Sequence, residues 1–131
     1  VRRVLALLDA EPLRAGYEHP AEALVRNRWV AADVFAAALE PDRDPGERAD
    51  LLRLLVRVGL PRARRTREML LRSALTADSV DLVDAGIGAV EQWGDPALVP
   101  LLALAEPVRR RVRWLDEYAR GVARDLGGEE E

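Results

Sequence analysis

Three 16-residue segments that each end in glycine constrain this 131-residue chain more than any other feature, because a repeat decides an architecture before any local motif does. Asp44–Gly59 reads DPGERADLLRLLVRVG, Ser79–Gly94 reads SVDLVDAGIGAVEQWG, and Val112–Gly127 reads VRWLDEYARGVARDLG. The closing glycines lie 35 and 33 residues apart, and each follows a large apolar residue: Val58, Trp93 or Leu126. A glycine at that point can take the left-handed conformation that ends a helix. The first two segments continue as Leu60-Pro61 and Asp95-Pro96. A proline there suits the first turn of a following helix, where no amide donor is needed. The pattern reads as helix, tight turn, helix.

In the middle copy Leu82, Ala85, Gly86, Ala89, Val90 and Trp93 recur at spacings of three and four, which puts them on one helical face and in the core. Ala85, Gly86 and Ala89 are small enough to let a neighbouring helix come close. Gly86 and Gly88 have no preceding strand and too few companion glycines for a phosphate loop. Helices are expected at about 2 to 9, 20 to 39, 45 to 58, 63 to 75, 79 to 93, 96 to 105 and 108 to 126. Residues 10 to 19, with Pro12, Gly16 and then Pro20, break the period and read as a loop. Aromatics make up only 5% of the chain, and Thr and Ile are few, which favours helix over strand. The expectation is an all-α single domain over 1–131: a cap at 1–19, repeats at about 20–59, 60–94 and 95–127, and an acidic tail at 128–131.

The run Gly94-Asp95-Pro96-Ala97-Leu98-Val99-Pro100-Leu101-Leu102 resembles the start of a HEAT repeat of the short bacterial, phycobilisome-lyase type. Asp44-Pro45 with Arg48 is a second match, and the resemblance covers about residues 27 to 127. It implies a right-handed α-solenoid of about three HEAT-like hairpins with an N-terminal capping helix, whose second helices line the concave side. On that register the residues offered to a partner are Arg48, Arg53 and Arg57 from the first copy, Asp84 and Gln92 from the second, and Asp116, Glu117 and Arg124 from the third. Val83 and Asp84 stand where the family often places Arg, so an inter-repeat Arg ladder is expected to be incomplete.

The chemistry available is narrow. The chain has no Cys and one His, His19, so the ingredients of a nucleophilic triad are scarce and no thiolate metal site can be assembled. His19 is expected to face solvent or to act as a local cap. Asp78, Asp81 and Asp84 sit at spacings of three around a helix start, where carboxylates complement the macrodipole, and they lack the spacing of a calcium loop. No catalytic residue, metal site or cofactor is expected. All 20 basic residues are Arg. Residues 48 to 72 carry eight Arg against Asp50 and Glu68, a net of +6, whereas residues 73 to 108 carry six acids and no Arg, a net of −6.

These features favour a non-enzymatic scaffold that binds a protein or peptide partner, with a homo-oligomer as one form of it. Trp114 is a candidate anchor, off the core stripe, because exposed Trp residues often dominate interfaces. A nucleic-acid reading is disfavoured by the overall charge of −3 but left open by two Arg clusters, Arg62, Arg64, Arg65 and Arg67, and Arg109, Arg110, Arg111 and Arg113. It would follow the HEAT-like DNA-repair glycosylases, which bind duplex on a basic concave face. A subunit of a chromophore lyase or isomerase is a third reading, suggested by the repeat type alone. The apolar runs are far shorter than the roughly 20 residues that span a bilayer, so no membrane segment is expected, and a cytoplasmic location is.

Overall fold

The computed structural model describes residues 1–127, and the acidic tail at 128–131 lies outside them. Every regular element among the described residues is helical: α1 (Arg2–Ala10), α2 (Pro20–Val25), α3 (Arg28–Leu39), α4 (Pro45–Arg57), α5 (Arg64–Leu75), α6 (Val80–Trp93), a 3₁₀ helix (Pro96–Ala105), α7 (Glu106–Arg111) and α8 (Arg113–Asp125).

The repeat glycines do what their spacing requires. Gly59, Gly94 and Gly127 have φ of +77°, +64° and +79°. Gly59 N–H bonds back to Val56 O at 3.0 Å and Leu60 N–H to Leu55 O at 2.9 Å, which closes α4. Polar side chains open the helices: Asp44 accepts from Glu47 N–H, Ser79 from Leu82 N–H, and Asp95 from Ala97 N–H. Pro96 occupies the first turn of its helix as expected. Pro61 does not, because α5 starts only at Arg64 and the Leu60–Pro61 peptide is cis.

Three other expectations change. The helix foreseen over 20–39 breaks at Asn27, whose side chain accepts from Trp29 N–H at 2.9 Å and so caps α3 instead of continuing α2. The helix foreseen over 108–126 breaks at Val112, which is extended at φ −131° and ψ 100°. Residues 96–105 are 3₁₀ in place of α, and Pro100 inside them is the physical reason, since its ring would strike the carbonyl four residues back in an α-helix.

Two rows of helices result. α3 touches α5, and α5 touches the 3₁₀ helix; α4 packs on α6, and α6 on α8. The rows meet where α3 packs on α4 and α5 on α6, while α1 and α2 cover the α4 end. Two buried clusters hold them together, one joining α1–α4 to α5 and α6, the other joining α5 and α6 to the C-terminal helices, and Val56 and Trp93 pack against both. Leu51, Leu52, Leu54 and Leu55 are fully buried in α4, each contributing roughly 1.5–3 kcal/mol of apolar burial. Gly86 sits where α6 crosses α5: a Cβ there would lie 2.9 Å from Leu75 Cδ2 and 3.3 Å from Ala74 Cβ. No helix among the described residues is long and apolar enough to cross a membrane.

Candidate functional site

The row formed by α4, α6 and α8 bounds a groove of about 470 Å³, within the range of ligand-binding clefts. Its floor is apolar, from Val56 of α4 and Ala85, Gly88 and Ala89 of α6, with Leu13 and Ala15 of the 11–19 loop at one side. Arg53 and Arg57, Asp84, Glu91 and Gln92, and Tyr118 of α8 form the polar wall. Four residues expected to contact a partner, Arg53, Arg57, Asp84 and Gln92, are thus brought together.

The arginines of the groove are engaged within the chain. Arg53 reaches Asp81 Oδ1 at 2.7 Å, Asp84 Oδ2 at 3.2 Å and Asp50 Oδ1 at 3.6 Å, tying α4 to α6. Arg57 Nε donates to Glu22 Oε2 at 2.9 Å, and its Nη2 donates to the carbonyls of Arg14 and Tyr17. It thereby pins the loop beside the groove. The wall itself carries two guanidinium groups, Arg53 and Arg57, and two carboxylates, Asp84 and Glu91; the arginines pair further with Asp50, Asp81 and Glu22 outside it, and Glu22 also meets Arg26 at 3.9 Å. Burial pushes the Asp50 carboxyl above its ordinary value; Arg53 opposes this, and the charges of Asp81, Asp9 and Asp44 add to it. Tyr118 donates to Glu91 Oε1 at 2.7 Å. Burial raises its phenol, and the bond to Glu91 and the nearby charges of Glu91 and Asp84 raise it further.

Several expected contacts lie elsewhere. Arg48 is only 6% exposed, its Nε donating to Ala38 O at 3.0 Å and its Nη2 to Ser73 Oγ at 2.5 Å, so it is an internal brace and no partner can reach it. Asp116 lines a second cleft, of about 550 Å³, with Glu106, Arg109, Arg110, Arg113 and Arg120. Glu117 pairs with Arg113 at 3.7 Å, and Arg124 is exposed near the end of α8; neither lines the groove. Trp114 is 54% exposed, as an anchor requires. It stands one turn before Tyr118 on the same side of α8, beyond the groove's lining residues.

The Arg clusters are largely absorbed by the fold. Arg64 pairs with Asp95 at 2.8 Å. Arg67 donates to Pro61 O at 2.6 Å and lies 4.8 Å over the Trp93 ring. Arg109 is 5% exposed, donating to Asp116 at 2.9 Å and Leu102 O at 3.1 Å, and burial removes it from any phosphate-gripping set. Arg110 pairs with Glu106 and Arg111 with Asp78. Arg109, Arg110 and Arg111 also sit in the last turn of α7, where the helix dipole favours cations, so their placement there needs no anion. Arg62 and Arg65 are exposed.

His19 is 1% exposed: its Nδ1 accepts from Ala21 N–H at 3.0 Å, and its Nε2 donates to Glu11 O. Of its two expected roles it takes the local cap, and its burial rules out the solvent-facing one. Asp78, Asp81 and Asp84 each pair with an Arg of another helix, and no group of three or more potential metal ligands occurs among the described residues. Sequence reasoning missed Glu91 and Tyr118. The signal for Glu91 was present, because Asp81, Asp84, Gly88 and Glu91 recur at three, four and three on one face of α6. No protein-family model, no curated protein and no solved structure matches the chain.

Proposed function

We propose that this chain is a non-enzymatic interaction module: a right-handed stack of three HEAT-like hairpins, capped by α1 and α2, that takes a segment of a partner protein along α4, α6 and α8. The observation that carries this reading is the groove, with an apolar floor and a polar wall supplied by successive members of one helix row. The repeating left-handed glycines and the two-row packing support the solenoid architecture.

A photo-crosslinking residue tests the proposal when placed at Gln92, on the exposed lip, and as a control at Arg72, which is exposed on α5 in the other row. A defined adduct from Gln92, absent from Arg72 and suppressed when the groove is filled by a Gly88→Leu change, is the expected result. Equal adducts from both positions would reject the groove as the binding face.

A further inference from the structure

The groove also specifies the chemistry of its occupant. We propose that it takes a partner segment pairing a small or medium apolar side chain with an adjacent Arg or Lys, the apolar group on the floor and the cation at Glu91. This rests on the groove being the binding face.

The floor of Val56, Ala85, Gly88 and Ala89 offers no hydrogen-bond partner except backbone already used inside α4 and α6, so an apolar group fits it. The wall decides the charge. Arg57 is matched by Glu22, and Arg53 is divided among Asp50, Asp81 and Asp84, so neither guanidinium offsets Glu91. Glu91 is exposed, and the Tyr118 hydroxyl on its Oε1 fixes the carboxylate while leaving acceptor positions for an incoming N–H. An anionic segment would meet Glu91 with no guanidinium paired to it, whereas a cationic one pairs with it, and charge complementarity of this kind governs partner choice and approach.

Arg62 in the turn before α5 and Arg65 in its first turn are exposed and have suitable charge within this same chain. That segment is, however, held against its own fold by the Arg64–Asp95 pair at 2.8 Å and by Arg67 donating to Pro61 O at 2.6 Å, so it does not present an extended stretch to another copy's groove. A different protein is therefore the occupant.

Titration of the full 131-residue chain by amide NMR with three blocked heptapeptides, alternating Leu/Arg, Leu/Gln and Leu/Glu, tests this. The Leu/Arg peptide should move the resonances of Gly88, Ala89 and Gln92, bind more tightly than Leu/Gln, and weaken as salt is raised; Leu/Glu should not bind. Glu91→Gln should weaken the Leu/Arg peptide about two- to fivefold and leave Leu/Gln unchanged. Gly88→Leu, or Gln92→Trp at the exposed lip should the first not fold, should block every peptide. If Leu/Gln binds the same residues as tightly as Leu/Arg, the charge assignment is wrong while the groove stands. If no peptide moves these residues, or the blocking variants have no effect, both readings fall. Concentration-dependent self-association abolished by Arg62→Glu with Arg65→Glu would make the occupant a second copy and overturn the proposal.

Discussion

Two glycines in α6, two residues apart, face opposite physical situations, and an alanine scan across them separates packing from helix propensity. At Gly86 a Cβ would lie 2.9 Å from Leu75 Cδ2, 3.2 Å from Leu75 Cγ and 3.3 Å from Ala74 Cβ. Leu75 is fully buried, so it has nowhere to retreat. At Gly88 the nearest group is the Tyr118 hydroxyl at 3.5 Å, an ordinary contact. Both substitutions gain the same helix propensity, about 0.8–1 kcal/mol. Only Gly86→Ala overpacks the α5–α6 contact, at a cost of roughly 1–3 kcal/mol. Gly88→Ala should therefore be stabilised by up to about 1 kcal/mol, whereas Gly86→Ala should range from neutral to about 2 kcal/mol destabilised. The shared propensity term cancels between the two variants, and their difference, about 1–3 kcal/mol, measures the overpacking alone. Urea unfolding followed by far-UV circular dichroism reads this directly, with an unchanged slope confirming that stability moved and not the unfolded state. In thermal melts it should appear as about 3–5 °C per kcal/mol for a domain of this size. Equal stability of the two variants would refute the close α5–α6 approach.

Four further outcomes follow from the same contacts. Arg48→Ala should lose about 1–3 kcal/mol, because the carbonyl of Ala38 is left without its buried donor; chemical denaturation checks it. His19→Ala should cost about 1 kcal/mol by deleting the cap on α2, and His19→Asn should restore most of it in the same assay. The hydrogen bond from Arg120 holds the Asp116 carboxyl below its ordinary value, and Arg109 assists against the opposing effect of burial. Its contribution to stability is thus present above the unfolded carboxylate value of about 3.9 and lost as pH falls through the lower folded value. Asp116→Asn should flatten that acid limb of a pH–stability profile. Arg53→Glu, which sets a fourth carboxylate beside Asp50, Asp81 and Asp84, should be about 1 kcal/mol less stable than Arg53→Gln, and high salt should shrink the gap.

The sequence disclosed the helical hairpins because their signals are local: a glycine after an apolar residue, a proline or a capping side chain at the next start, and a period of three and four between. It concealed the breaks at Asn27 and Val112 for an equally local reason. Asn27 stands among residues that would suit a continuous helix, and only its own side chain's bond to Trp29 N–H turns it into a cap. Val112 carries no breaker at all. The candidate site was half legible. Arg53, Arg57, Asp84 and Gln92 share the face the period predicts, but whether an Arg is offered or consumed depends on acceptors distant in sequence. Arg48 is drawn inside by Ala38 and Ser73, ten residues before it and 25 after. Arg57 reaches back 35 residues to Glu22. No window of sequence contains those partners.

The reversal of charge along the chain gains its meaning from the same long reach. The basic segment around α4 and α5 presents only part of its charge, at Arg62, Arg65 and Arg72, because Arg53 crosses to Asp81 and Asp84, and Arg64 to Asp95. Acids of the middle copy also receive Arg111 from the last one, at Asp78. These pairs all keep solvent access, from about a third exposed for Arg53–Asp84 to mostly exposed for Arg111–Asp78, so each adds about 1 kcal/mol or less, too little for them to be the main source of stability. What they supply is charge matching between elements in contact. Arg53, on the edge of α4 that meets α6, faces Asp81 and Asp84 there, so charge is matched across that helix contact. The same arrangement consumes the guanidinium groups and leaves Glu91 uncompensated beside the apolar floor. Charge matching between neighbouring helices thereby leaves Glu91 as the carboxylate that the groove offers.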